Sequence, residues 1–123
     1  MSVMAAVPDS PEGVAALAAG VAEAQLLGTD LIVVNLSLRP LDNSVIPDGF
    51  PVKFIERKGR DDRDPADAVL AEIHDNEVER LVIGVKRRSP VGKALLGSVS
   101  QRLLLDAPVP VVAVKIDGGK QDG

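Results

Sequence analysis

The chain has 123 residues, two aromatic side chains (both Phe), no cysteine and a formal net charge of −4. That composition excludes disulfides, thiolate metal sites and cysteine nucleophiles, stacking of bases on Trp or Tyr, and general affinity for a nucleic-acid backbone. With 46% apolar residues the chain is long enough to bury a Val, Leu, Ile and Ala core, and the expectation is a single domain over residues 1–116 with a flexible tail over 117–123.

No apolar run approaches the roughly 18 residues of a membrane span. The opening "MSVMAAVPDS" has neither a basic region nor a long apolar one, so it does not read as a signal peptide. A soluble cytoplasmic protein is expected.

In chain order, Val3–Val7 is apolar and stopped by Pro8, which predicts a buried strand. Ser10, Pro11 and Glu12 then carry helix-start chemistry: an N-cap, a first-turn proline and a first-turn acid. Val14, Leu17, Ala18, Val21 and Gln25 follow at helical spacing, and Gly28 suits the C-terminal cap, so a helix is predicted over Pro11–Leu27. Leu31–Leu36 is a β-branched second strand. Arg39–Gly49 is loop by its prolines, Asp-Asn and Asp-Gly, and offers little room for a helix.

Val52–Glu56 predicts a short third strand, with Pro51 marking it as an edge. The charged run "KGRDDRD" reads as a solvated connector. Asp64 as N-cap, Pro65 at N1 and Asp67 in the first turn open a helix over Pro65–Asn76, with Ala66, Val69, Leu70 and Ile73 as its apolar stripe. Leu81–Gly84 is a fourth strand, Ser98–Asp106 a third helix and Val111–Lys115 a fifth strand. Strands alternating with helices predict a doubly wound α/β fold with a parallel sheet covered on both faces. Such folds bind ligands at the carboxyl ends of the strands, where strand order reverses.

The stretch "GVKRRSPVGKALLGSVSQ" joins the fourth strand to the third helix. It is not a Walker A loop, since no Ser or Thr follows Lys93, and no G-x-G-x-x-G follows the first strand. It does hold Gly84, whose missing Cβ would let a ligand approach, and Gly97-Ser98 at a helix start, where free N–H groups favour an anion. Lys86, Arg87, Arg88 and Lys93 add charge. Elsewhere the chemistry is sparse. His74 is the only histidine and reads as a boundary residue, so a transition-metal site is not expected. Asp61, Asp62 and Asp64 are explained by a polar loop and a cap. Ser98 and Ser100 have no His placed to activate them, and no catalytic residue is expected.

The run "LVIGVKRRSPVGKALLGSVSQRLLLDAPVPVVAVK" resembles the C-terminal half of the universal stress protein family. The family motif is G-x-x-G, nine residues, then G-[ST], with a helix and a "PVxVV"-like last strand. The resemblance implies a five-stranded parallel sheet in the order 3-2-1-4-5, of the adenine nucleotide alpha hydrolase-like kind. It implies ATP or AMP, with or without Mg²⁺, held between the loops after strands one and four, in a regulatory stress-response module rather than an enzyme.

By position in the motif, Ala6, Val7 and Leu36 would frame the adenine, and Ile83 and Gly84 would lie beside the nucleotide. Gly97, Ser98, Val99 and Ser100 would bind phosphates or ribose. The second motif glycine is Arg87 here, and the aspartate usual after strand one falls on Pro8, with Asp9 one place later. The resemblance also implies a homodimer paired through the last strand, around Val109, Val111, Val112 and Val114. Other readings are a nucleotide-free dimeric interaction protein and a phosphate-cleaving enzyme of the same broad fold.

Overall fold

The computed structural model describes residues 1–37, 39–56, 64–87, 94–95 and 97–117. The elements run β1 (Ser2–Val7), α1 (Pro11–Leu27), β2 (Leu31–Asn35), β3 (Val52–Glu56), α2 (Pro65–Asp75), β4 (Val78–Arg87), β5 (Ala94–Leu95), α3 (Ser98–Asp106) and β6 (Val111–Asp117). Five of these strands form a parallel sheet in the spatial order β3-β2-β1-β4-β6. That is the 3-2-1-4-5 order expected for the five long strands.

The sheet carries one strand that the sequence reading missed. β5 pairs antiparallel with the last two residues of β4, Lys86 with Leu95 and Arg87 with Ala94. β4 itself runs three residues past Gly84, where the strand was expected to stop. The glycine does not end it because β6 keeps pairing from Gly84↔Val114 to Arg87↔Asp117, and Val85 stays buried. β6 correspondingly extends through Asp117, one residue into the segment read as tail. Residues 57–63, most of the "KGRDDRD" connector, lie outside the described residues, as do 88–93 and 118–123.

Alternation along the strands splits the core into two faces. Val3, Ala5, Val7, Leu31, Val33 and Val82 point toward α1. Met4, Ala6, Ile32, Val34, Leu81 and Ile83 point toward α2 and α3, meeting Ala66, Val69, Ile73 and Leu103. No helix forms over 39–51; Leu41, Ile46 and Phe50 of that segment pack beside α1.

The helix ends follow their caps. The Ser10 hydroxyl accepts from the Gly13 N–H at 3.4 Å, and Gly28 closes α1 in the left-handed conformation, φ 67°. The Asp64 carboxylate accepts from the Ala66 N–H at 2.8 Å. Gly97 occupies the N-cap of α3, so no side chain caps that helix.

The buried face of α1 shares Leu17 and Val21 with the one expected and otherwise differs. Gly13, Ala16, Leu17, Gly20, Val21 and Ala24 are buried, whereas Val14 is 70% exposed and Ala18 and Gln25 face solvent. Small residues meet the sheet because the helix lies so close to it. A Cβ on Gly20 would sit 3.1 Å from both the Ala5 Cβ and a Leu31 methyl. A count of large apolar side chains therefore finds Leu17 and Val21 but misplaces the rest of the stripe.

The closest approach is at the first turn. A Cβ on Gly13 would lie 1.8 Å from the Pro8 carbonyl oxygen, and one on Gly84 would lie 2.1 Å from the Glu12 carbonyl oxygen. Backbone cannot give way as a side-chain tip can. Gly84→Ala should therefore cost about 3 kcal/mol in urea-unfolding stability. Gly97→Ala, with nothing among the described residues within 4 Å of the new Cβ, should cost about 1 kcal/mol or less. Equal, small losses for both would show that the α1–β4 contact relaxes freely.

Candidate functional site

β1 and β2 leave α1 and the following loop on one side of the strand-order reversal, and β4 leaves α3 on the other. Between their carboxyl ends is a cavity of about 300 Å³. One side is walled by Ala6, Pro8, Leu36 and Pro65, from the ends of β1 and β2 and the start of α2. The other side is Lys86, Gly97, Val99 and Ser100, from the end of β4 and the start of α3. Ile83, Gly84, Val85 and Leu103 line it between them, and Ser10 and Glu12 contribute from the start of α1. The starts of all three helices thus converge on one cavity, which makes its potential favourable to an anion.

Eight of the residues singled out from sequence come together here: Ala6, Leu36, Ile83, Gly84, Lys86, Gly97, Val99 and Ser100. Four do not. Val7 points to the opposite face, buried against α1. Asp9 turns away and pairs with the Arg39 guanidinium, beside a separate groove lined by Val14, Leu17 and Leu41. Ser98 is exposed at the first turn of α3, outside the lining. Arg87 ends β4, and its side chain lies outside the described residues.

Gly84 lines the cavity, but the close neighbour that its missing Cβ admits is the α1 backbone. Gly97 also lines the cavity, with no described atom within 4 Å of where its Cβ would lie. The sequence reading missed Pro8, Ser10, Glu12, Pro65, Val85 and Leu103 as lining residues. Leu103 was legible, being one turn from Val99 and Ser100 on the same helix. Glu12 carried only a helix-start signal; its side-chain Oε1 is sealed from solvent and has no hydrogen-bond partner among the described residues.

The loop after β2 is set by a buried amide. Asn35 is fully buried. Its Nδ2 donates to the Glu56 carboxylate at 2.8 Å and to the Arg39 carbonyl at 2.9 Å, and its Oδ1 accepts from the Ser37 N–H at 2.9 Å. The Leu36 N–H donates to the Val7 carbonyl at 3.0 Å, carrying the ladder one step past β2. Leu36 is held as a wall of the cavity by these bonds. Among the described residues no cluster of three His, Asp or Glu side chains could hold a metal ion, and no helix is long and apolar enough to cross a membrane.

The profile of the Universal stress protein family matches residues 48–115, from before β3 to the body of β6. A universal stress protein of Mycolicibacterium smegmatis is 35% identical, over 88% of this chain and 92% of its own length. The chain belongs to the universal stress protein family. The fold agrees: a universal stress protein structure from Archaeoglobus fulgidus superposes with a TM-score of 0.69 at 25% identity, over 94% of this chain and 98% of that one. A structure of the universal stress protein from the same organism in complex with dAMP superposes at 0.67, with 24% identity and the same coverage.

Within this member of the family, Asn35 is the buried polar group on which the β2 end depends. Asn35→Leu would leave the Ser37 N–H without its partner, at a cost of about 1–3 kcal/mol. Chemical denaturation should show that loss, whereas Glu56→Gln, which keeps an acceptor for the Asn35 amide, should cost less than half as much.

Proposed function

We propose that this protein binds an adenine nucleotide, ATP or AMP, in the cavity between the ends of β1 and β4, as a regulatory module of the stress response in the cytoplasm. The observation that carries the reading is the division of the cavity. Ala6, Pro8, Leu36 and Pro65 make an apolar side suited to a base. Lys86 and the uncapped start of α3 at Gly97 make a side suited to phosphate. The dAMP complex of the similar archaeal protein supports the same class of ligand. No triad or activated nucleophile accompanies the cavity among its described lining residues, which favours a binding role over turnover. Mg²⁺, if used, would come with the phosphates.

One observation favours the alternative of a nucleotide-free interaction protein. Glu12 is among the residues lining the same cavity, and an acid so placed works against incoming phosphate. Thermal unfolding separates the two. A ligand at 100 times its dissociation constant stabilises by about 2.7 kcal/mol, a shift of roughly ten degrees for a chain this size. ATP or AMP at millimolar concentration should produce a shift of that order. Gly97→Val should abolish it, because the side chain, clear of every described neighbour, would stand where the phosphates sit, at an unstrained φ of −68°. An unmoved wild-type curve, with and without Mg²⁺, sinks the nucleotide reading.

The same proposal includes a homodimer through β6. That strand is the sheet edge, paired with β4 alone among the described strands. Val109 and Val111 lean on one core face and Val112 and Val114 on the other, each still partly exposed. A long apolar edge of this kind tends to pair with a second chain. Val112→Lys should shift micromolar protein from dimer to monomer in light scattering; a monomeric wild type overturns the interface.

A further inference from the structure

The solvent side of α1 is as apolar as the side that meets the sheet. Val14 is 70% and Leu26 75% exposed, with Ala18 and Ala22 exposed between them in one row of fourth residues. A helix that is apolar all round is normally covered all round. The only charged residues of α1 are Glu12 and Glu23, and neither stands in this row. Glu12 is among the residues lining the cavity, and Glu23 pairs with Arg80 at 2.8 Å. At its Val14 end the row opens into the groove walled further by Leu41 and Val45, about 650 Å³ in volume. The charges of that groove are partnered within it: Asp9 joins Arg39, and Asp42 accepts from the Ser44 N–H at 3.0 Å.

We propose that this row is a self-complementary contact through which α1 packs antiparallel on α1 of a second copy. Rows of fourth residues are inclined about 26° to the helix axis, and two helices that pack through them cross at about 50°. With the two-fold axis at the level of Gly20, Ala18 faces the second copy's Ala22, and Val14 faces its Leu26. The axes come nearest at the alanines and diverge toward the ends, where the larger Val14 and Leu26 fill the gap. Each Leu26 then enters the groove beside the other copy's Val14, so the contact has the same knob and the same hole on both partners, as two-fold symmetry requires. Charge favours this occupant. Two chains of net charge −4 repel least where neither presents an ionised group, and α1 has no Lys or Arg with which to hold a lipid headgroup. The 17 residues of α1 span about 25 Å. A contact one helix wide, with its two grooves, buries on the order of 1,000 Å² in total, the size of a weak and reversible association. This face points away from the sheet and is distinct from the β6 edge, so the two contacts together would link copies beyond a pair.

Sedimentation of the full chain carrying Val112→Lys, which removes the β6 contact, isolates this one. Its mean mass should climb toward twice that of a single chain as concentration rises through the upper micromolar range. Adding either Leu26→Glu or Val14→Lys should hold the mass at a single chain; both positions are exposed, so neither change disturbs the fold. An equimolar mixture of those two variants should recover the doubling, because position 14 of one copy then meets position 26 of the other with opposite charge. A background that stays single at every concentration overturns the inference, as do variants that associate like the background or a mixture that stays single. Flotation of the wild type, but not of Leu26→Glu, with phosphatidylcholine vesicles would give the face to lipid and overturn it as well.

Discussion

The cavity depends on one close approach of backbone to backbone. The first turn of α1 rests directly on the ends of β1 and β4, with Gly13 against the Pro8 carbonyl and Gly84 against Glu12. Neither contact leaves room for a Cβ. The rest of α1 continues the theme, meeting the sheet through Ala16, Gly20 and Ala24, so the helix axis is set by contacts of small residues with Ala5 and Leu31 rather than by interdigitated large side chains. This is what brings the start of α1 to the strand-order reversal and places Ser10 and Glu12 on the cavity. A glycine that a motif reader assigns to ligand approach is used here to hold a helix down.

Electrostatics then divide the site. Three helix starts and Lys86 favour an anion, and the acid Glu12 among the lining residues works against one. The acid expected to reach in after strand one is spent elsewhere: Asp9 ties the β1 loop to Arg39 on the β2 loop. The same β2 loop is tied from beneath by the buried Asn35 amide. The wall at Leu36 is thus braced from both sides, which limits the ordering that a ligand must impose and leaves the wall with satisfied donors. On the face of the sheet that α2 and α3 share, the Arg102 guanidinium on α3 joins Asp67 on α2. Its pKa is raised chiefly by that hydrogen bond. This is an exposed pair of small energetic weight, but it connects the two helices whose first turns line the cavity.

Element order, strand type and helix boundaries were legible because they rest on local chemistry. Ser10-Pro11 and Asp64-Pro65 start helices wherever the surrounding chain lies, since cap and N1 preferences act within one turn. Runs such as "LIVVN" are buried on both faces of a parallel sheet and carry no competing period. Eight of the singled-out site residues line the cavity because the strand ends and the start of α3 are fixed by those same signals.

Tertiary contacts decided the rest. The sequence by itself determined which segments are strands and helices and that a glycine-rich, basic connection precedes α3. It placed the buried face of α1 only in part, because whether small or large residues meet the sheet depends on helix-to-sheet distance, which is not a local quantity. Nor could it say that β4 outruns Gly84, since that extension exists only because β6 lies alongside to pair with it. The direction of Asp9 and the entry of Glu12 into the cavity were equally hidden. Each depends on a partner some thirty residues away or on another element's backbone, and side-chain orientation of that kind is settled only when the loops after β1 and β2 are brought side by side.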